Sequence, residues 1–186
     1  MWVFLSGLLF IGTASCALGW VRARRLLAAC RRDQKAQDHS SQFIAEERHV
    51  LKLIAEGASL KTVLDALTAA VERISPGCLC SVLLLDDDGR HLREGSAGSL
   101  PAEYMRLVDV LEIGPDVGSC GSAAYLNETV IVTDIAKDHR WALVKELPLS
   151  FGLRTCWSVP IRDSKGRVLG TFAMYHQQVT DPQPLD

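Results

Sequence analysis

A chain of 186 residues that is 48% hydrophobic can bury the core of one domain and carry an appendage, but it is too short for two domains of ordinary size. Its formal charge of −2 is unevenly spread: residues 1–32 hold five arginines and no acid, which leaves fifteen basic against twenty-two acidic side chains, a net of −7, over residues 33–186. So acidic a C-terminal portion argues against nucleic acid as a partner.

Residues 2–21 contain no charged side chain. Twenty helical residues at about 1.5 Å each span the roughly 30 Å hydrocarbon core of a bilayer, so a transmembrane helix is expected there. Arg22, Arg24, Arg25, Arg31 and Arg32 follow it. By the positive-inside rule they leave the C-terminal portion in the cytoplasm, against anionic headgroups. A cleaved signal peptide is the competing reading, with Ala14-Ser15-Cys16-Ala17 as small residues for processing, but no Lys or Arg precedes the apolar run.

Residues 22–46 read as a juxtamembrane helical linker. From residue 43 the helix carries Ile44, Leu51, Ile54 and Ala58 at i, i+7, i+10 and i+14, a stripe that packs on its own domain or, by preference, on a parallel copy. Gly57 ends it and Ser59 caps the next helix, where Leu60, Val63, Leu64, Leu67, Val71 and Ile74 share one face. Pro76-Gly77 stops that helix. Cys78–Leu85 is apolar on both alternating faces, as in a strand buried on two sides. Asp86-Asp87-Asp88-Gly89 is a hairpin turn leading to a strand over 90–97, and no further acids follow at calcium-loop spacing.

Pro101 opens a short helix bearing Tyr104, Leu107, Val108 and Leu111. Gly114, Gly118 and Gly121 then punctuate the chain before a small helix around 122–126 and a strand over 129–133. Asp134 reads as the N-cap of a helix through Trp141 to about residue 147. A strand over 155–161, a turn at 163–166 and a strand over 168–175 complete an α+β architecture with a hairpin-connected antiparallel sheet. Asp181-Pro182 has the form of a helix start, so residues 179–186 read as the truncated beginning of an exit helix.

The six cysteines are expected as free thiols, since the domain is placed in a reducing compartment. Cys78 and Cys80 lack a second pair at zinc spacing, and the five histidines are scattered, so no metal is assigned. No catalytic Ser/His/Asp order, phosphate-binding loop or paired carboxylates stand out.

The order of elements, together with four strings, resembles a GAF domain. The strings are Leu53-Ile54-Ala55-x-Gly57-x-Ser59-Leu60, then Gly118-Ser119-Cys120-Gly121-Ser122-Ala123-Ala124, then Val132-x-Asp134-Ile135, and finally Trp157-Ser158-Val159-Pro160-Ile161 with Gly166-x-Val168-Leu169-Gly170-Thr171-Phe172. They are most similar to sensory GAF domains of bacterial cyclic-di-GMP turnover proteins and histidine kinases, and assign residues 47–178 to the domain. The resemblance implies a six-stranded sheet flanked by helices and a ligand pocket on one side of it. Candidate ligand contacts are Ser119, Cys120, Gly121, Ser122, Asp134, Trp141, Trp157 and Thr171.

Each of these residues also has a plainer reading. Ser119 to Ser122, opening a helix, would aim backbone N–H groups at a carboxylate or phosphate; equally, the glycines make a tight turn with Cys120 as core filler. Asp134 is a cap in the plainer reading, and the two tryptophans are core.

Free methionine sulfoxide reductases share the Gly-x-Cys-Gly string at Gly118 to Gly121. Their catalytic Cys lies in the segment after Asp134, where His139-Arg140-Trp141-Ala142-Leu143-Val144 has none. No Cys is followed by His as in bilin-binding relatives, and Asn127 is followed by Glu128 where cyclic-nucleotide relatives have Lys and Phe. The expectation is therefore a non-enzymatic sensory module in a bacterial inner membrane, single-pass with its domain cytoplasmic. It is homodimeric, in contact with membrane lipid, binds a small ligand that the sequence does not identify, and signals to an output outside this chain, a cyclase, phosphodiesterase or kinase. A ligand-free dimerisation and anchoring module, or a thiol-redox protein related to the reductases, is the alternative.

Overall fold

The computed structural model describes residue 34 and residues 37–182. The expected membrane span at 2–21 and residues 183–186 lie outside these. Among the described residues no helix is long and apolar enough to cross a membrane. The chain divides into two units, Met1–Ala45 and Glu46–Asp186. A helix, α1, runs over 37–55.

The second unit is an α+β fold on a six-stranded antiparallel sheet. Its strands are β1 (Cys78–Leu85), β2 (His91–Ser96), β3 (Leu111–Glu112), β4 (Val130–Val132), β5 (Thr155–Arg162) and β6 (Val168–His176), in the order β3-β2-β1-β6-β5-β4. β1 and β6 lie at the centre, which explains why β1 reads as apolar on both faces.

The helices are α2 (Leu60–Ile74), α3 (Ala102–Val108), α4 (Gly118–Leu126) and α5 (Glu146–Ser150). Ser59 caps α2 as expected, its Oγ accepting from Thr62 N at 3.1 Å. The buried face of α2 is centred on Leu64 and Thr68, while Leu60, the first residue of the sequence stripe, is 61% exposed. Thr68 is tolerated there because its hydroxyl hydrogen-bonds the Leu64 carbonyl at 3.2 Å and meets Ser96 Oγ at 3.0 Å.

Cross-strand register sorts the sheet's two faces. Leu79, Tyr175, Cys156 and Val132 stand in one row, Ser81, Ala173, Ser158 and Val130 in the next, and Leu83, Thr171 and Pro160 in the third. This inner face carries α4 and most of the hydrophobic core. On the other face, Cys78, Cys80 and Val82 of β1 and Met174 and His176 of β6 alternate with it, and α2 packs against β1 and β2.

Two expected elements differ. The helix expected from Asp134 to about 147 is instead a turn, a 3-10 turn at His139–Trp141 and the separate α5. Asp138 is extended (φ −74°, ψ 134°) and its side chain accepts from Arg140 N, so it interrupts one turn and starts another. Pro148 has no N–H to give the Val144 carbonyl, so it fits only in the first turn of α5. The expected helical stripe also stops at Val108, because Val110 adopts φ 62° and reverses the chain into β3, which places Leu111 on a strand.

Gly170, near the start of β6, packs directly on β1. A Cβ there would fall inside contact distance of the Leu83 carbonyl oxygen and stand 3.0 Å from Leu84 Cα, both backbone atoms in a paired strand that cannot give way. Gly170→Ala is expected to lower stability by about 1–3 kcal/mol, the usual cost of overpacking. The urea unfolding midpoint is the measurement, and an unchanged midpoint would contradict this packing.

Candidate functional site

α4 begins where the chain must turn sharply and pack tightly. Gly118 has φ 57°, and a Cβ on it would lie 3.2 Å from the Trp141 ring, so glycine is required both for conformation and for space. Gly121 is pressed against Val117, whose Cβ would lie 2.9 Å from an added Cβ. Trp141, buried from the 3-10 turn, is thus laid flat over the start of α4. Its Nε1 donates to Ser119 Oγ at 3.1 Å, and Ser119 Oγ donates to the Cys156 carbonyl of β5 at 3.0 Å.

These contacts enclose one end of a cavity with about 100 Å³ of space for water-sized occupants. The sheet contributes Leu83 and Tyr175, and α3 contributes Tyr104, Leu107 and Val108. The start of α4 supplies Gly118, Ser119 and Cys120, and the segment before and within α5 supplies Trp141, Val144, Leu147 and Pro148. Tyr104 and Tyr175 meet edge to face with ring centroids 6.0 Å apart, and burial pushes both phenols above their ordinary range. The space is therefore predominantly apolar, with few polar groups at its wall.

Of the eight residues singled out in the sequence, Ser119, Cys120 and Trp141 line this cavity. Gly121 and Ser122 are buried behind them, Ser122 Oγ donating to the Pro115 carbonyl at 2.9 Å. Asp134 is a turn residue outside the lining: it accepts from Ala136 N at 3.1 Å and pairs with Lys137 Nζ at 2.8 Å. The Lys137 hydrogen bond lowers its carboxyl pKa against the opposing effect of desolvation. Thr171 lies on the inner sheet face beneath α4, fully buried, its hydroxyl unpartnered. Trp157 lies on the opposite face, its ring 4.8 Å from that of His176.

Of the lining residues that the sequence reading passed over, Leu83, Val144, Leu147 and Pro148 have no polar signature, and Tyr175 has only its phenol. The available signal was the strand alternation that puts Tyr175 opposite Cys156 on one face. Among the described residues no group of three His, Cys, Asp or Glu is placed to hold a metal ion.

A profile of the GAF domain family matches residues 57–184. The chain belongs to the GAF domain family. A methyl sulfide methyltransferase-associated sensor from Methanosarcina acetivorans is 34% identical over 151 residues, which cover 81% of this chain and 15% of that protein. The chain thus corresponds to a small part of that relative's length. The GAF domain of an Acinetobacter phosphoenolpyruvate-protein phosphotransferase superposes with a TM-score of 0.59 at 19% identity, covering 77% of this chain and 82% of that one. A free methionine-R-sulfoxide reductase from Neisseria meningitidis, solved with its substrate, gives 0.54 at 18% identity over 72% of each chain. At these identities the two structures share the GAF fold. Among the described residues this GAF domain has its cysteines at Cys78, Cys80, Cys120 and Cys156, and none on the 139–148 wall of the cavity.

Ser119 joins Trp141 to β5, so its removal leaves the indole N–H buried without an acceptor. Ser119→Ala is expected to cost about 1–3 kcal/mol of stability. Thermal unfolding measures the loss, and a red shift of tryptophan emission is expected with it as Trp141 loosens. A wild-type melting temperature and spectrum would show that the hydroxyl does not hold the wall.

Proposed function

We propose that this GAF domain is a sensory module that takes a small, mainly apolar ligand into the cavity between α3, α4 and the 139–148 segment. The observation that carries this reading is the cavity wall itself. Trp141, hydrogen-bonded to the first turn of α4, closes a largely hydrocarbon space whose mouth is edged by Leu107 (59% exposed) and Val144 (44%). A pocket of this make-up selects by shape and buried apolar area, with one or two polar groups for orientation. The sensor relative from Methanosarcina supports a signalling role. No acid–base pair or activated nucleophile stands in the ligand space beyond Cys120, so binding rather than turnover is the role proposed.

In this reading the ligand signal leaves through α1 and the segment after β6, toward an output of the cyclase, phosphodiesterase or kinase type. Residues 2–21 anchor the chain once in a bacterial inner membrane, and the five arginines keep the domain on the cytoplasmic side against lipid headgroups. Residues 22–46 link the anchor to the GAF domain, and 179–186 begin the exit helix. Homodimerisation is assigned to α1, on which Leu51 (56% exposed) and Ile54 (55%) stand three residues apart on one helical face.

Two experiments test this. Full-length protein in detergent should melt higher in the presence of a compound from a panel of short-chain apolar acids, alcohols and aromatics; about 2.7 kcal/mol is expected at a hundred times Kd. Val144→Trp at the mouth should abolish that shift and change the stability of the free protein by no more than about 0.5 kcal/mol. Silence across the panel would sink the ligand reading. Sedimentation should give a dimer that Leu51→Asp with Ile54→Asp converts to monomer, and an unchanged mass would remove α1 as the interface.

A further inference from the structure

Beneath α4 lies a buried cluster of thiols and hydroxyls that touches the cavity at Cys120 and Tyr175 and extends behind it. Cys120 is 4% exposed, Tyr175 3%, and Cys156, Ser158 and Thr171 are 0% exposed. Cys120 comes down from α4, while the other four stand on the inner face of β5 and β6, with Cys156 paired directly to Tyr175. Tyr175 Oη lies 3.8 Å from Cys120 Sγ, and the adjacent Ser119 Oγ donates to the Cys156 carbonyl at 3.0 Å, which sets the first turn of α4 directly over Cys156. Ser158 Oγ and Thr171 Oγ1, buried on the same sheet face, have no hydrogen-bond partner among the described residues.

A phenol at hydrogen-bond distance from the sulfur, with two unpartnered hydroxyls buried on the same face, favours a thiolate over a thiol. The Cys156 hydrogen bond, opposed by burial and aided by Ser158, Tyr175 and Thr171, lowers the Cys120 pKa. Burial, together with its bond to Cys120, raises that of Cys156. The two cysteines thus differ in kind. Cys120 is also the one of the pair that lines the cavity, so a small molecule entering there meets its sulfur first.

We propose that Cys120 and Cys156 are an oxidisable dithiol, converted to a disulfide by a hydroperoxide that enters through the cavity. The Cys120 thiolate attacks one peroxide oxygen; an S–O bond forms, the O–O bond breaks, and the departing hydroxide takes up the proton that Cys120 released. The Cys156 thiol, giving up its proton, then attacks the sulfenic sulfur; the S–S bond forms, the S–O bond breaks, and a second water leaves. Two thiols lose two electrons and two protons in all, and one hydrogen peroxide becomes two waters. The new bond ties the first turn of α4 to β5 at the point where Ser119 and Trp141 set the cavity wall, so oxidation changes the space a ligand would occupy. The site stands independently of whether such a ligand exists.

Cys78 and Cys80, whose sulfurs are 3.7 Å apart, sit on the opposite sheet face outside the cavity lining. They provide an internal comparison. Trypsin separates the candidates, since Cys120 falls in peptide 107–137, Cys156 in 155–162, and Cys78 with Cys80 in 74–90.

Folded full-length protein is treated with hydrogen peroxide, its remaining thiols are blocked, and the digest is mapped by mass spectrometry. The expected product is a peptide 107–137 joined to 155–162, two hydrogens lighter than the sum of its parts and released by dithiothreitol. Cys156→Ser should lose the link and accumulate a dimedone-trapped sulfenic acid on Cys120; Cys120→Ser should lose both. The wild-type map decides the matter even if a variant fails to fold. Oxidation of Cys120 to sulfinic acid without the link, or a disulfide confined to peptide 74–90, would overturn the proposal. Ligand-induced stabilisation measured on the same reduced sample reports on the cavity separately.

Discussion

One hydroxyl holds the cavity in shape. Ser119 Oγ accepts from the Trp141 indole at 3.1 Å and donates to the Cys156 carbonyl at 3.0 Å, so a single atom ties the irregular 134–145 segment, the start of α4 and strand β5 together. All three groups are buried, where a hydrogen bond that is lost leaves a donor with no water to replace it. The geometry of this junction propagates outward. The indole can reach Ser119 only because Gly118 presents no Cβ to its ring, and Gly118 is itself in a positive-φ conformation that starts α4. Shape in the cavity is therefore set by a backbone turn and a ring stacked on it.

The inner sheet face shows why α4 can approach so closely. The residues of this face, Ser81, Ser158, Thr171 and Ala173, are small, and α4 itself offers Gly121, Ala123 and Ala124. Small residues on both surfaces bring helix and sheet near one another, but three of the sheet residues carry hydroxyls that find no partner there. Such groups are an energetic liability in a packed interior, and most buried hydroxyls are satisfied. Two of the three, Ser158 and Thr171, lower the Cys120 pKa, and a sulfur carrying negative charge is the acceptor that would repay their burial. Packing and thiol chemistry thus meet at the same residues.

Much of the fold was legible in the sequence because its signals are local. Ser59 with the stripe of α2, Pro76-Gly77, the Asp-Gly turn before β2 and the doubly apolar β1 each depend on a few adjacent residues, and each element stands where those residues put it. The stretch from Asp134 to Leu147 reads as one helix in the sequence although capping signals occur twice within it, at Asp134 and at Asp138, and the sequence does not say which one wins. Tertiary contact decides: Trp141 is needed at Ser119, and a chain broken into turns delivers it. The site was partly legible for the same reason. The glycine-bracketed Ser119-Cys120 announces itself by composition, whereas Leu83, Tyr175 and Pro148 are ordinary core residues until the sheet brings them to one space. Trp157 falls away from the cavity lining by strand register alone, which depends on pairings far along the chain, whereas Thr171 shares the lining's face and is set back from the space beneath α4.

The polar groups at the start of α4 bear on what the cavity can hold. Read from the sequence, Ser119 and Ser122 at a helix N-terminus suit an anion; in the fold both hydroxyls are already committed, to Cys156 and to Pro115, and the Trp141 ring lies over Gly118. An anionic guest would have to displace the indole and break the hydrogen bonds that shape its own site. An apolar guest keeps them all and adds buried area against Tyr104, Leu107, Val108 and Leu147, at roughly 25 cal/mol for each Å² removed from water. The balance of costs favours the apolar ligand. It also makes Trp141 the part of the wall that responds, since it is the one large ring in the lining held by a single hydrogen bond between two short turns.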